Sequence, residues 1–127
     1  NRAIVCKTET LGGVDFFQSN RTFVIYANGN MYMGPEEHHQ LANEVKSNEW
    51  TFLTLVRGGS AMKSYINGQL SKVSTLSTIG HTNNDLQVAP QGDIGYIDDI
   101  KIYKKALTDE EVSAEFEKSY RHEFLTV

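Results

Sequence analysis

One cysteine stands in 127 residues. Cys6 therefore has no partner for an internal disulfide, and a single thiol cannot hold a structural zinc. A basic block is also missing: Lys and Arg number 12 against 16 Asp and Glu, for a net charge of −4. Nucleic acid and anionic membrane surfaces are bound mainly through clustered Lys and Arg, so neither is an expected partner. No apolar run approaches the roughly 18 residues that a bilayer span needs, so membrane insertion is not expected. With 39% hydrophobic and 22% charged residues, disorder, collagen and coiled coil are excluded for the chain as a whole. A single core is expected, because two independent cores rarely fit below about 150 residues.

What is present is a series of short β-like runs separated by Gly and Asn, the pattern of an antiparallel sandwich or barrel and not of βαβ units. Strands are expected over residues 2–7, 14–18 and 22–27. Asn28-Gly29 and Asn67-Gly68 each separate two apolar runs, and Asn-Gly tolerates the positive φ angles of a two-residue type I′ hairpin. Residues 34–40, Gly-Pro-Glu-Glu-His-His-Gln, have no period and read as a surface loop, with His38 and His39 as solvent-exposed imidazoles. The most apolar segment, residues 50–56, reads as a central strand buried on both faces. The stretch 93–104 is strand-like. Thr108 and Glu111 then form a capping box, with Asp109 and Glu110 complementing the helix dipole. Val112, Phe116 and Tyr120 share one face of the helix that follows. Residues 121–127 are expected to belong to a connection. The sequence opens at Asn1 without an initiator Met, and is expected to continue upstream in a longer protein.

Three segments, in this order and spacing, are Asn48-Glu49-Trp50-Thr51-Phe52, Ser64-Tyr65-Ile66-Asn67-Gly68-Gln69-Leu70, and Gly95-Tyr96-Ile97-Asp98-Asp99-Ile100-Lys101-Ile102-Tyr103 running into Ala106-Leu107-Thr108-Asp109-Glu110-Glu111. They resemble the laminin G-like and pentraxin-like modules of the concanavalin A-like lectin/glucanase superfamily, over about Ile4 to Phe116. The resemblance implies an all-β jelly-roll sandwich of two antiparallel sheets with one short C-terminal helix, forming a single domain over residues 1–127. It also implies an N-terminally incomplete one, since such modules place further strands, one of them central, before the segment matching Ala3 to Lys7. Without a central strand, buried backbone groups on its neighbours cost about 1 to 3 kcal/mol each when unpaired.

Glycoside hydrolysis needs two carboxylates roughly 5 to 9.5 Å apart across the scissile bond. The strand motif of the glucanase relatives, Glu-x-Asp-x-x-Glu, does not occur in the sequence. No Gly-x-Ser-x-Gly elbow is present either, and Cys6 within a strand reads as an inert buried thiol. The resemblance makes Ca²⁺ the one expected cofactor, with Asp98 as its ligand; the competing reading has Asp98 or Asp99 capping backbone N–H groups at a strand kink. Glycan binding needs aromatic faces for sugar rings and amide or carboxylate partners. Asn30, Tyr32, Tyr96, Asn83, Asn84 and Asp85 are the candidates near loops and strand ends, whereas Trp50, Tyr65 and Tyr103 are expected to pack. Asn20-Arg21-Thr22 fits the N-glycosylation acceptor pattern.

These readings converge on a non-catalytic recognition module, a carbohydrate-binding or protein-binding accessory domain of a larger extracellular or cell-surface protein. Its expected partners are a glycan or protein ligand, and a neighbouring domain or another chain that completes the sandwich. Two alternatives are a purely structural domain packed on a catalytic or toxin domain, and a hydrolase of the same fold.

Overall fold

The computed structural model describes residues 2–8, 21–34, 37–76, 85–90, 92 and 95–125, with backbone alone at Thr8, Arg21 and 120–125. Two antiparallel sheets face each other. The first has the order β4-β3-β2-β1-β8, from β1 (Ala3–Thr8), β2 (Arg21–Tyr26), β3 (Met31–Met33), β4 (Glu37–His39) and β8 (Gln87–Val88). The second has the order β5-β6-β7, from β5 (Leu53–Gly58), β6 (Ala61–Ile66) and β7 (Gln69–Thr75). The expected strand at 14–18 and the acceptor Asn20 lie outside the described residues.

Alternation along the strands builds the core. Phe23, Ile25, Met31 and Met33 of the first sheet meet Met62, Leu53 and Leu55 of the second, with Leu41 and Leu76 filling between. On the reverse face of β5 and β6, Val56 and Tyr65 meet Val112 of α1 (Asp109–Leu125). Val112 is fully buried, which stabilises the docked helix by about 1.5 to 3 kcal/mol. The helix starts as expected: Thr108 N–H donates to Glu111 Oε1, and Glu111 N–H donates to Thr108 Oγ1, both at 3.1 Å. It runs on to Leu125, so most of the stretch expected as a connection is helical. Phe116 packs against Phe52 with the rings tilted at 49° and their centroids 5.9 Å apart.

The two Asn-Gly turns differ. Asn67 and Gly68 have φ of 51° and 77°, as a two-residue type I′ loop requires, and Ile66 pairs with Gln69 across it. At Asn28-Gly29 only Gly29 has positive φ. Gly29 N–H donates to Tyr26 O and Tyr26 N–H to Asn30 O, which is a type I turn closed by a left-handed glycine, one residue longer than expected. The longer loop leaves Asn28 Oδ1 to accept from Asn30 N–H.

Five other expectations are corrected. Residues 34–40 are not all loop, because β4 pairs with β3 and places Met31 opposite His39. The segment 50–56 becomes strand only at Leu53: Asn67, in the next hairpin, holds Phe52 by both its N–H and its carbonyl. That strand lies at a sheet edge, not at the centre, and Trp50 and Tyr103 are exposed where packing was expected. Residues 95–104 form no strand, because among the described residues no strand lies alongside to pair with them.

Candidate functional site

The edge position of β5 opens a groove of about 1500 Å³ through the side of the sandwich. Its floor is the inner face of the first sheet, at Ile4, Phe23 and Ile25; one wall is β5, at Leu53 and Leu55; the other is the irregular segment 95–106. That outer wall is tied to the helix by Lys101 to Glu115 at 3.0 Å and Lys105 to Glu111 at 2.6 Å. These ammonium groups hold the Glu111 and Glu115 carboxyls below their ordinary values, and the hydrogen bond to Glu115 raises Lys101. Apolar and aromatic side chains stay open to solvent along the groove, among them Trp50 at 52% exposure, Tyr96 at 91% and Ile102 at 62%.

The groove also collects unsatisfied hydroxyls. Among the described residues, Thr22 Oγ1, Thr54 Oγ1 and Ser119 Oγ are buried without a hydrogen-bond partner, and all three residues line it. An orphaned buried hydroxyl costs about 1 to 3 kcal/mol.

The expected site residues do not assemble there. Asn30 Oδ1 accepts from the N–H of buried Leu41 at 3.0 Å, an anchor for the chain after β4. Tyr32 is half-buried on the opposite face of the first sheet, edge-on to Tyr26 at 5.5 Å and stacked on His38 at 5.4 Å. Asp85 is exposed and off the groove, and Asn83 and Asn84 lie outside the described residues. Tyr96 and Asp98 do line it. Asp98 Oδ1 accepts from Asp99 N–H at 2.9 Å, and Asp99 has φ of 53°, so Asp98 caps a backbone kink. Ca²⁺ takes six to eight oxygens, whereas among the described residues no three His, Cys, Asp or Glu side chains gather around a metal-sized space. The described residues do not by themselves fit a Ca²⁺ ion.

His39, expected as a solvent-exposed imidazole on a loop, is instead a buried residue of β4. It is 4% exposed, and its two ring nitrogens reach Ser64 Oγ and Ser74 Oγ, each at 2.7 Å. Burial pushes its pKa below the ordinary imidazole value, partly opposed by Glu37. The only signal in the sequence was the alternation of Glu37, His38 and His39, which places the first and third on one face of a strand. Cys6 is buried with its thiol pKa raised by desolvation, as expected for an inert group.

This architecture agrees with the comparison to known families. A laminin G family model, described as the concanavalin A-like lectin/glucanases superfamily, matches residues 12–113. The chain belongs to that superfamily. No curated protein matches it significantly. Among solved structures, it is similar to the 2.1 Å crystal structure of an S-layer domain-containing protein (residues 221–444) from Clostridium thermocellum ATCC 27405, at 15% identity and a TM-score of 0.43. That alignment covers 89% of this chain and 64% of the other, so this laminin G-like chain spans less than two thirds of its solved neighbour.

Proposed function

We propose that this laminin G-like chain is a non-catalytic recognition domain, an accessory unit of a larger extracellular or cell-surface protein, and that it binds a protein ligand through the open groove. The observation that carries the reading is the groove's chemistry: an aliphatic floor and wall, exposed Trp50 and Ile102 at the mouth, and three hydroxyls buried without a partner among the described residues. Sugar rings stack on aromatic faces and hydrogen-bond through their hydroxyls; Trp50 and Tyr96 are such faces, but the floor and wall at Ile4, Ile25, Leu53 and Leu55 suit apolar side chains. The absent Glu-x-Asp-x-x-Glu motif and the adjacency of Asp98 and Asp99 support a domain without hydrolytic chemistry. The extracellular setting rests on membership of a lectin-containing superfamily and on the Asn20-Arg21-Thr22 triplet.

Trp50 is the sole tryptophan, so its emission reports on the groove. Titration with extended peptides should shift that emission saturably, and Leu55→Lys should abolish the response. A saturable response to β-glucan oligosaccharides alone would transfer the domain to the carbohydrate binders. Release of new reducing ends would make it a hydrolase, and silence toward both classes would leave a structural domain.

A further inference from the structure

We infer that Asn67 is a site of spontaneous deamidation, and that its isoaspartate product loosens the hold of the β6–β7 turn on β5 and α1. The inference is independent of what the groove binds.

Two asparagines in the chain precede glycine, Asn28 and Asn67. At such a pair the glycine nitrogen can approach the Asn Cγ with no side chain of its own residue in the way. The nitrogen gives its proton to hydroxide and attacks Cγ; the bond from Cγ to the side-chain nitrogen breaks, and ammonia leaves. The five-membered succinimide then takes up one water at either carbonyl. One opening yields aspartate. The other yields isoaspartate, whose main chain runs through Cγ and is longer by one methylene.

The two turns present these atoms differently. Gly29 N–H donates to Tyr26 O at 2.9 Å, and Asn28 is half-buried. Attack there must first break that hydrogen bond. Gly68 N–H meets no acceptor among the described residues, and Asn67 is exposed. Asn67 Oδ1 also accepts from Phe52 N–H at 2.9 Å, so a donor already faces the oxygen on which negative charge develops during the attack. Asn28 Oδ1 has a comparable donor in Asn30 N–H, which leaves the glycine nitrogen and the exposure of the side chain as what separates the two.

Asn67 is also where three elements meet. Besides accepting from Phe52 N–H, it donates its own N–H to Phe52 O at 2.8 Å, and so fixes the entry of β5. Phe52 packs on Phe116 of the helix. Gly68 lies against the same ring, close enough that an added Cβ would come within 2.8 Å of Phe116 Cβ. A two-residue turn with positive φ at both positions has no slack for another methylene. Isoaspartate at 67 therefore displaces Gly68 and Phe52 together, whereas aspartate adds a charge and keeps the oxygen in place.

The test is incubation of the whole chain at mildly alkaline pH, with peptide mapping by mass spectrometry over time. In the native state Asn67 should convert about tenfold faster than Asn28, the rate equivalent of the roughly 1.4 kcal/mol that the Gly29 hydrogen bond withholds. In denaturant the two rates should converge. Equal native rates would overturn the assignment of Asn67, and a ratio that persists in denaturant would overturn it too, by tracing the difference to sequence neighbours. The isolated isoaspartate form should melt earlier and exchange the Phe52 amide faster than the parent, while Asn67→Asp stays close to it. An isoaspartate form that melts with the parent would overturn the coupling to β5 and α1, as would an Asn67→Asp loss equal to that of the isoaspartate form.

Discussion

His39 Nδ1 and Ser64 Oγ stand 2.7 Å apart and join the two sheets through the interior, one group from β4 and the other from β6. With Ser74 on the second ring nitrogen, the imidazole has a partner on each side. This is the condition under which a buried polar ring costs little. Protonation would put a charge where only Glu37 favours it, while Lys72 and His38 oppose it.

Stability should therefore fall with acidity through His39. Its folded pKa lies below the ordinary 6.5, so as pH drops through about 6.5 the unfolded chain takes up a proton that the folded chain refuses. The loss approaches about 1.4 kcal/mol per pH unit until the folded pKa is reached. Denaturant melts at pH 7.5 and pH 5 should show this, and His39→Leu should flatten it. The same variant should lower stability at pH 7.5 by about 1 to 3 kcal/mol for each serine hydroxyl left unpaired. An unchanged pH slope in His39→Leu would assign the dependence to other groups.

Gly68 should not tolerate a side chain. Its φ of 77° is a left-handed conformation, and an added Cβ would meet Phe116 Cβ at 2.8 Å. Gly68→Ala therefore combines backbone strain of about 1 kcal/mol with displacement of the helix. Its loss should exceed that of Gly59→Ala, where the φ is also left-handed but no atom lies within 4 Å. Thermal melts of the two variants decide it, and equal losses would mean that the helix gives way without cost.

What could be read in the sequence followed the distance over which each contact is formed. The Thr108 and Glu111 capping box and the Asn67-Gly68 turn involve residues within one turn of chain, and both were legible. Short runs separated by Gly and Asn pointed to an antiparallel β fold, the stripe of Val112, Phe116 and Tyr120 to the closing helix, and the family resemblance to two sheets. His39 was not legible, because its hydroxyl partners lie 25 and 35 residues away and nothing local separates it from exposed His38. The segments 50–56 and 95–104 carry strand-like residues, but the first became an edge and the second no strand, since β structure requires neighbours that composition does not disclose. Asn30 and Tyr32 lie off the groove: the hairpin spends Asn30 on Leu41, and the pleat turns Tyr32 to the other face of its sheet.

The helix start should respond to its cap alone. Thr108→Ala removes the acceptor for Glu111 N–H and should cost about 1 kcal/mol, whereas Thr108→Ser keeps the oxygen and should cost much less. Val112→Ala, one turn on and fully buried, should cost about 2 kcal/mol from lost methyl burial and its cavity. A Val112→Ala loss no larger than that of Thr108→Ala would mean that the helix contributes by propensity and capping, not by docking.

The outer wall of the groove should loosen without the domain unfolding. Lys101 and Lys105 tie it to the helix, and both ion pairs are substantially exposed. Such exposed pairs contribute little to global stability, yet they can set the local opening of a segment that, among the described residues, has no strand partner. Glu115→Lys should thus leave the melting temperature nearly unchanged while accelerating amide exchange over residues 100–105. Acid should mimic it, because the Glu115 carboxyl is held below its ordinary value by Lys101: the tie is complete above the ordinary carboxylate range, and is lost as pH falls through the lower folded value. Exchange at 100–105 that stays slow in Glu115→Lys at neutral pH would show that the wall is held by its apolar residues, Ile100 and Ile102 first among them.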